Sequence, residues 1–169
     1  VLLFAVLISI IGGRAVPAFT RSWLQTTAPG RNFHDNRLLS SSALIATAVG
    51  GGMALVGQTT VAGTWLVFAG VLHGLRLIGW QTLHTRHYPA LLMLHLAWLW
   101  LPAGLILMGT AMLRPQALPL AAATHGLTMG AMGSMILAIA GRAAMARQRG
   151  RLLAGRGLVW AFALVWLAT

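Results

Sequence analysis

The sequence predicts an all-α protein, a polytopic bundle of transmembrane helices. Of its 169 residues, 58% are hydrophobic and only 8% are charged, whereas an ordinary soluble domain carries about 25% charged residues. The hydrophobic residues form long uninterrupted runs, and about 20 residues of helix are enough to cross the hydrocarbon core of a bilayer. A soluble enzyme of this length needs more charge to cover its surface, so that class is excluded.

Four full spans are predicted, at residues 38–56, 61–83, 89–113 and 118–145. A partial span is predicted at each end, at 1–11 and at 157–169, because these apolar runs begin or stop without a flanking loop. We therefore expect residues 1–169 to form a single transmembrane helical domain that is a fragment of a longer chain.

Residues at the ends of the predicted spans support these boundaries. Asp35 or Asn36 can cap the first full span, whose opening amide groups would otherwise lack partners. Gly57 favours a tight turn after that span. Pro89 and Pro119 suit the first turn of a helix, where the missing amide costs no hydrogen bond.

Arginine position predicts the orientation of the helices. All twelve basic residues are arginines, and the only acidic residue is Asp35. The arginines concentrate in the predicted connections at 13–37, 84–88 and 141–156, which the positive-inside rule assigns to the cytoplasm. The net charge of +11 suits anionic lipid headgroups as partners. Nucleic acid is excluded as a partner, because nucleic-acid binders carry basic residues on an exposed face or stripe.

Three histidines, His73, His95 and His125, fall inside predicted spans, where polar side chains usually mark function. Arg76 projects from the same side of its helix as His73. The only acid is predicted to lie in a loop. Arg76 therefore needs backbone carbonyls, a partner among helices of a missing N-terminal half, or a bound anion such as a haem propionate. An alternative of equal weight is that the Arg76 side chain extends along its helix so that its guanidinium reaches the cytoplasmic interface (snorkelling).

The depth of His95 matches that of His73 and Arg76, counted at about 1.5 Å per helical residue. The three side chains then form one polar layer, and paired imidazoles at one depth can hold the iron of a b-type haem. The alternative is that the histidines only hydrogen-bond between helices as packing. Because the chain has no cysteine, thiolate metal sites are excluded.

His125 has two methionines, Met129 and Met132, on its side of the helix. One imidazole with thioether sulfurs is a soft ligand set that suits Cu(I). Methionine also fills gaps in apolar cores, and that is the better supported interpretation. No nucleophile–base arrangement or phosphate loop is found, so any catalysis would be the work of a cofactor, and enzymatic activity stays open.

Several strings of the sequence resemble segments of the NnrS family of haem- and copper-containing bacterial membrane proteins. They are Ile-Gly-Gly-Arg at 11–14, Gly-Trp at 79–80, Leu-His-Leu at 94–96 and His-Gly-Leu-Thr-Met-Gly-Ala-Met-Gly-Ser-Met at 125–135. The resemblance spans nearly the whole chain in the order of the family. Two features depart from it: no histidine follows Arg142, and methionines stand at 129 and 132 where aliphatic residues are common, which weakens the copper interpretation.

The resemblance implies a multi-pass protein of the bacterial inner membrane, linked to denitrification or to resistance against nitric oxide and nitrosative stress. It implies haem, its iron bound through His73, His95 or His125 and a propionate held by Arg76 or Arg14, and it implies copper. It makes Arg14 a candidate site residue that spacing alone does not indicate. The alternative is a transporter or channel-like protein without a cofactor, since intramembrane histidine and arginine also line ion paths.

Overall fold

A computed structural model of the chain describes residues 1–148 and 151–169. Among these residues, five helices are long and apolar enough to cross a membrane, which confirms the predicted all-α transmembrane bundle. They are α1 (Leu2–Thr27), α2 (Arg37–Leu55), α3 (Thr59–Gly79), α4 (Pro89–Leu113) and a fifth span, Leu120–Ala144.

The fifth span has three parts. It begins as α5 (Leu120–His125), widens into a π-helix at Gly126–Gly133 and ends as α6 (Ser134–Ala144). A short antiparallel hairpin of β1 (Ala146–Gln148) and β2 (Arg151–Leu153) follows, and α7 (Arg156–Leu167) ends the chain. Between α3 and α4, a 3₁₀ helix covers Thr82–His87.

The first span is longer than predicted. We expected a partial span to residue 11 and a connection at 13–37, but α1 continues to Thr27 and the connection is 28–36. The arginines at 14, 21, 31 and 37 suggested a connection there, yet Arg14 and Arg21 leave α1 apolar overall, and Pro17 within it removes only one helical hydrogen bond. Arg14 therefore lies in the middle of a transmembrane helix. Arg149, part of the predicted connection at 141–156, lies outside the described residues.

The predicted helix ends are found with small shifts. Of the two candidate caps, Asn36 is the one used, since its Oδ1 accepts from the amides of Leu38 at 2.9 Å and Leu39 at 3.3 Å. Gly57 has a φ of +78°, which a turn between α2 and α3 requires and which glycine adopts without strain. Pro89 occupies the first turn of α4.

The central helix of the bundle is α4, which packs against α1, α3, α7 and all three parts of the fifth span. Glycines bring α3 and α4 together most closely. A methyl group added at Gly109 would lie 2.5 Å from the carbonyl oxygen of Gly63, and one at Gly70 would lie 2.8 Å from that of Pro102. Such close backbone approach between small residues is how transmembrane helices pack without a hydrophobic driving force.

The three arginine-rich connections meet at one end of the bundle, which we call the arginine-rich end (residues 28–36, 80–88 and the hairpin β1–β2). Arg31 Nη1 donates to His84 Nδ1 at 3.0 Å, and the amide of Leu152 donates to the Tyr88 hydroxyl at 3.1 Å. Loss of hydration is the main cause that lowers the pKa of His84. Neighbouring positive charge lowers it further, and among these charges Arg31 contributes most. A neutral His84 ring is the form that can accept from Arg31.

The glycine contacts yield a stability prediction. Gly109→Ala is expected to lower the unfolding free energy of the full-length protein in detergent by about 1–3 kcal/mol, because the added methyl overpacks the α3–α4 contact. The control is Gly52→Ala, also in a helix, where an added methyl meets nothing within 4 Å. Thermal unfolding measures both, and equal melting temperatures would show that the close approach is not needed.

Candidate functional site

The interior of the bundle contains a group of polar and aromatic side chains, which we call the polar layer. Its members are His73, Arg76 and Trp80 from α3 and its C-terminal end, and His95 and Trp98 from α4. All five are buried. The spacing of three, four or seven residues within each helix places these side chains on one face, and the close packing of α3 on α4 brings the two faces together.

Arg76 is the charge at the centre of this layer. Its Nη2 donates to the backbone carbonyl of Gly13 at 2.9 Å, and its guanidinium lies 4.8 Å from the ring centroid of Trp80 and 5.1 Å from that of Trp98. The carbonyl of Gly13 is free because Pro17, four residues later, has no amide to donate to it. Pro17 thus leaves an acceptor in mid-membrane that Arg76 uses.

Asp35 reaches the layer from the connection between α1 and α2. The amide of His34 donates to the Gly79 carbonyl at 3.1 Å, which holds this connection over the end of α3. Asp35 Oδ1 then accepts from Trp80 Nε1 at 3.0 Å and lies 3.9 Å from Arg76 Nη2. The only acid of the sequence therefore pairs with the buried arginine, a contact that its predicted place in a loop did not indicate.

The hydrogen bonds of His73 assign its tautomer. Arg76 Nη1 faces His73 Nδ1 at 3.5 Å, and a guanidinium can only donate, so Nδ1 carries no proton. His73 Nε2 lies 3.2 Å from the hydroxyls of Ser9 and Thr47. Both hydroxyls donate to carbonyls of their own helices at 2.8 Å, so both accept from Nε2–H. His73 is a neutral imidazole that shares one proton between α1 and α2.

His95 lies between two hydroxyls at the side of the layer nearest the arginine-rich end. Its Nε2 is 2.9 Å from Thr20 Oγ1 on α1, and its Nδ1 is 2.9 Å from Thr82 Oγ1 on the 3₁₀ helix. The His95 and Trp80 rings pack nearly perpendicular to each other, with 6.2 Å between ring centroids. All of its polar contacts are with uncharged groups.

The two histidines do not face each other. Trp98 and Trp80 lie between them. The ring centroids are 5.4 Å apart for His73 and Trp98, 5.0 Å for Trp98 and Trp80, and 6.2 Å for Trp80 and His95. An iron held between both imidazoles would have to displace the two tryptophans and the hydroxyls at each Nε2. The arrangement therefore does not fit a bis-imidazole haem, and iron ligation by His73 or His95 stays a prediction.

Beside the layer, an open cavity of about 750 Å³ lies between α1 and α2. Arg14, Arg37 and Arg76 line it together with Asp35, and serine hydroxyls at 9, 40 and 41 complete its polar wall. Arg14 and Arg37 are exposed and have no acidic partner among the described residues. The Nε of Arg76 is buried and has no hydrogen-bond partner in the same part of the chain. The cavity therefore offers an excess of cationic donors.

Of the predicted site residues, the structure brings His73, Arg76 and His95 into one layer and places Arg14 on the adjoining cavity. It does not bring His125 there. His125 is exposed where α5 meets the π-helix, and its ring makes no hydrogen bond in the described part of the chain. Within residues 1–148 and 151–169, no three histidine, aspartate or glutamate side chains lie together as a metal site.

Sequence reasoning missed the hydroxyl partners and the carbonyl of Gly13. Serine and threonine are common in membrane helices because they can bond their own backbone, so a single one gives no signal. The one usable signal was Pro17, whose missing amide marks a free carbonyl four residues earlier in the chain.

A family model described as "NnrS protein" matches residues 1–169 of the chain. No curated protein and no solved structure matches it.

The shared proton of His73 yields a prediction for a double-mutant cycle. Ser9→Ala and Thr47→Val each leave Nε2–H with one acceptor, so each is expected to cost about 0.6 kcal/mol, typical for hydrogen bonds between membrane helices. The double variant also leaves a buried donor without a partner, which adds about 1–3 kcal/mol to the sum of the two single losses. Unfolding of the full-length protein in detergent is expected to show this excess over the sum.

The matched control for this cycle is the pair Ser42→Ala and Thr64→Val, both at exposed positions of α2 and α3. Their effects are expected to be small and additive. Additive effects at Ser9 and Thr47 would contradict the sharing of His73 Nε2 between the two hydroxyls.

Proposed function

The chain belongs to the NnrS family, and we propose that it holds an anionic group inside the membrane, at Arg14, Arg37 and Arg76. We further propose that this binding serves resistance to nitric oxide and nitrosative stress, or denitrification, as the family resemblance implies. The protein acts in the bacterial inner membrane, with the arginine-rich end in the cytoplasm and anionic lipids around it.

The observation that carries the proposal is the charge of the cavity. Three guanidinium groups and a single carboxylate line it, and Arg76 keeps a buried Nε–H without a partner. Charge in a membrane is costly unless it is paired, and Asp35, which pairs with Arg76, leaves Arg14 and Arg37 without a counter-charge among the described residues. A bound anion supplies this charge and accepts from the guanidinium groups, since guanidinium and carboxylate form paired hydrogen bonds.

Haem is the first candidate for the group that brings this anion. Its propionates are anions that the arginines of the cavity would hold, and a bound haem would supply redox chemistry and binding of diatomic gases. Among the three predicted histidine ligands, His125 is the one whose ring nitrogens are unoccupied by hydrogen bonds in the described residues, although it does not line the cavity. Helices from the rest of a longer chain would be the other source of an iron ligand. Copper at His125 with Met129 and Met132 is a separate prediction.

The alternative is a transporter or channel-like protein without a cofactor. The specific observation in its favour is that the cavity is open and lined by serine hydroxyls as well as arginines. Hydroxyls and guanidinium groups replace the hydration of a small anion such as nitrite or chloride, and intramembrane arginine is typical of ion paths. In this alternative Arg76 is the deepest point that the ion meets.

An absorption spectrum and metal analysis of the full-length protein separate these two functions. Protein purified in detergent, after expression with an ample haem supply, is expected to show a Soret band that shifts on reduction, with bound iron. A colourless and iron-free protein that carries nitrite or chloride across proteoliposomes would overturn the haem proposal in favour of the transporter.

Charge removal in the cavity tests the anion site itself. Arg14→Gln and Arg37→Gln are each expected to weaken haem retention, or anion flux if the protein is a transporter, by about ten- to a hundredfold. The reason is that a hydrogen bond to a charged group contributes about 1.5–3 kcal/mol and each 1.4 kcal/mol is a factor of about ten. The control is Arg114→Gln, an exposed arginine at the opposite end of the bundle. Variants at 14 and 37 that behave like the control would reject the site.

A further inference from the structure

An open groove of about 390 Å³ runs between α1 and the fifth span, and we call it the apolar groove. Its lining residues fall within 4–12 of α1 and 132–143 of the fifth span, and all of them are apolar. Ile11 and Ile136, one on each wall, are 58% and 60% exposed, so no element among the described residues covers the groove. It shares no lining residue with the arginine cavity.

The two walls of the apolar groove run side by side in the same direction. A methyl group added at Gly12 would lie 3.2 Å from Met135 Cε, and the guanidinium carbon of Arg142 lies 4.2 Å from the ring centroid of Phe19. Phe19 follows Gly12 by about two helical turns, and Arg142 follows Met135 by the same distance. The two helices are therefore in register, and Phe19 with Arg142 closes the groove on the side of the arginine-rich end.

The apolar groove is long enough for one lipid acyl chain. At about 1.5 Å per helical residue, the stretch of α1 from Phe4 to Phe19 is about 22 Å long. That is more than half of a hydrocarbon core of about 30 Å, and one leaflet supplies half of the core. The acyl chain of a lipid whose headgroup lies at the arginine-rich end therefore fits lengthwise between the two walls.

Arg142 places a positive charge at this closed end of the groove. It lies in the last turn of α6, and the contact of its guanidinium with the Phe19 ring holds it between the two walls. The only acid of the sequence, Asp35, pairs with Arg76 instead. Arg142 is half-buried, and its buried Nη1 has no hydrogen-bond partner among the described residues. The guanidinium therefore has no counter-charge in this part of the chain.

We propose that the apolar groove binds an acidic phospholipid, with one acyl chain between α1 and the fifth span and the phosphate at Arg142. Charge complementarity favours this occupant over a neutral lipid, because a guanidinium binds phosphate oxygens through paired hydrogen bonds. Basic pockets between transmembrane helices on the cytoplasmic side bind anionic headgroups in this way. The inference does not rest on the anion of the arginine cavity, since Arg14, Arg37 and Arg76 do not line the groove.

Native mass spectrometry of the full-length protein, stripped of lipid in detergent, tests this site. The probes are phosphatidylglycerol and phosphatidylcholine with identical acyl chains, so they differ only in the headgroup, which is anionic in the first and zwitterionic in the second. The wild type is expected to retain one phosphatidylglycerol at least about tenfold more tightly than phosphatidylcholine, the factor for a hydrogen bond to a charged group. Arg142→Gln is expected to lose this preference. The control Arg86→Gln, an exposed arginine at the same end of the bundle, is expected to keep it.

Filling the groove is the second test, and it leaves Arg142 in place. Ala140 is an exposed lining residue, so Ala140→Trp is expected to abolish the retained phosphatidylglycerol. Its control is Ala121→Trp, at an exposed position of α5 outside the groove, which is expected to retain the lipid. Equal retention of the two lipids by the wild type, or an Arg142→Gln variant that behaves like Arg86→Gln, would overturn the proposal. A wild type that retains neither lipid would also overturn it, since another helix or a second copy of the chain then covers the groove.

Discussion

The bond from Arg76 to the carbonyl of Gly13 is the constraint around which the rest of the bundle is arranged. A guanidinium inside a membrane must find acceptors, because lipid offers none. Pro17 leaves the Gly13 carbonyl without its helical donor, and the absence of a side chain at Gly13 lets α1 approach. A methyl group there would lie 3.0 Å from Arg76 Nη1 and 3.2 Å from the ring of Trp98. Proline and glycine, which usually weaken helices, here create the site.

The nitrogen of Arg76 that makes this bond also faces Asp35, on the connection between α1 and α2. With one acid in the sequence, the placement of that acid decides how the buried charge is balanced. Asp35 is 24% exposed on its side chain and pairs with Arg76 at 3.9 Å, so it neutralises the arginine only at the edge of the layer. Histidines deeper in the layer are held by hydroxyls instead. A hydroxyl costs little in a membrane helix because its own backbone accepts its proton.

Composition and arginine position were enough to predict the fold, because hydrophobic length and loop charge are local properties of the sequence. The depth of His73, Arg76 and His95 was also predictable, since helical rise converts residue number into height. The end of α1 was not predictable, because the arginines at 14 and 21 were assigned to a connection, whereas both lie within the helix. The pairing of Asp35 with Arg76 depends on how residues 28–36 fold back over α3, and that path is set by contacts far apart in sequence.

Trp80 connects the two halves of the polar layer. Its indole donates to Asp35, its ring lies against Arg76, and it packs nearly perpendicular to the ring of His95. One cavity opens on Arg76 and Asp35, and a second cavity, at the arginine-rich end, is lined by Thr82, the hydroxyl partner of His95 Nδ1. Trp80 lies between these two openings. Because Asp35 Oδ1 both accepts from Trp80 Nε1 and faces Arg76 Nη2, a change in the partner of the guanidinium also changes the surroundings of the indole.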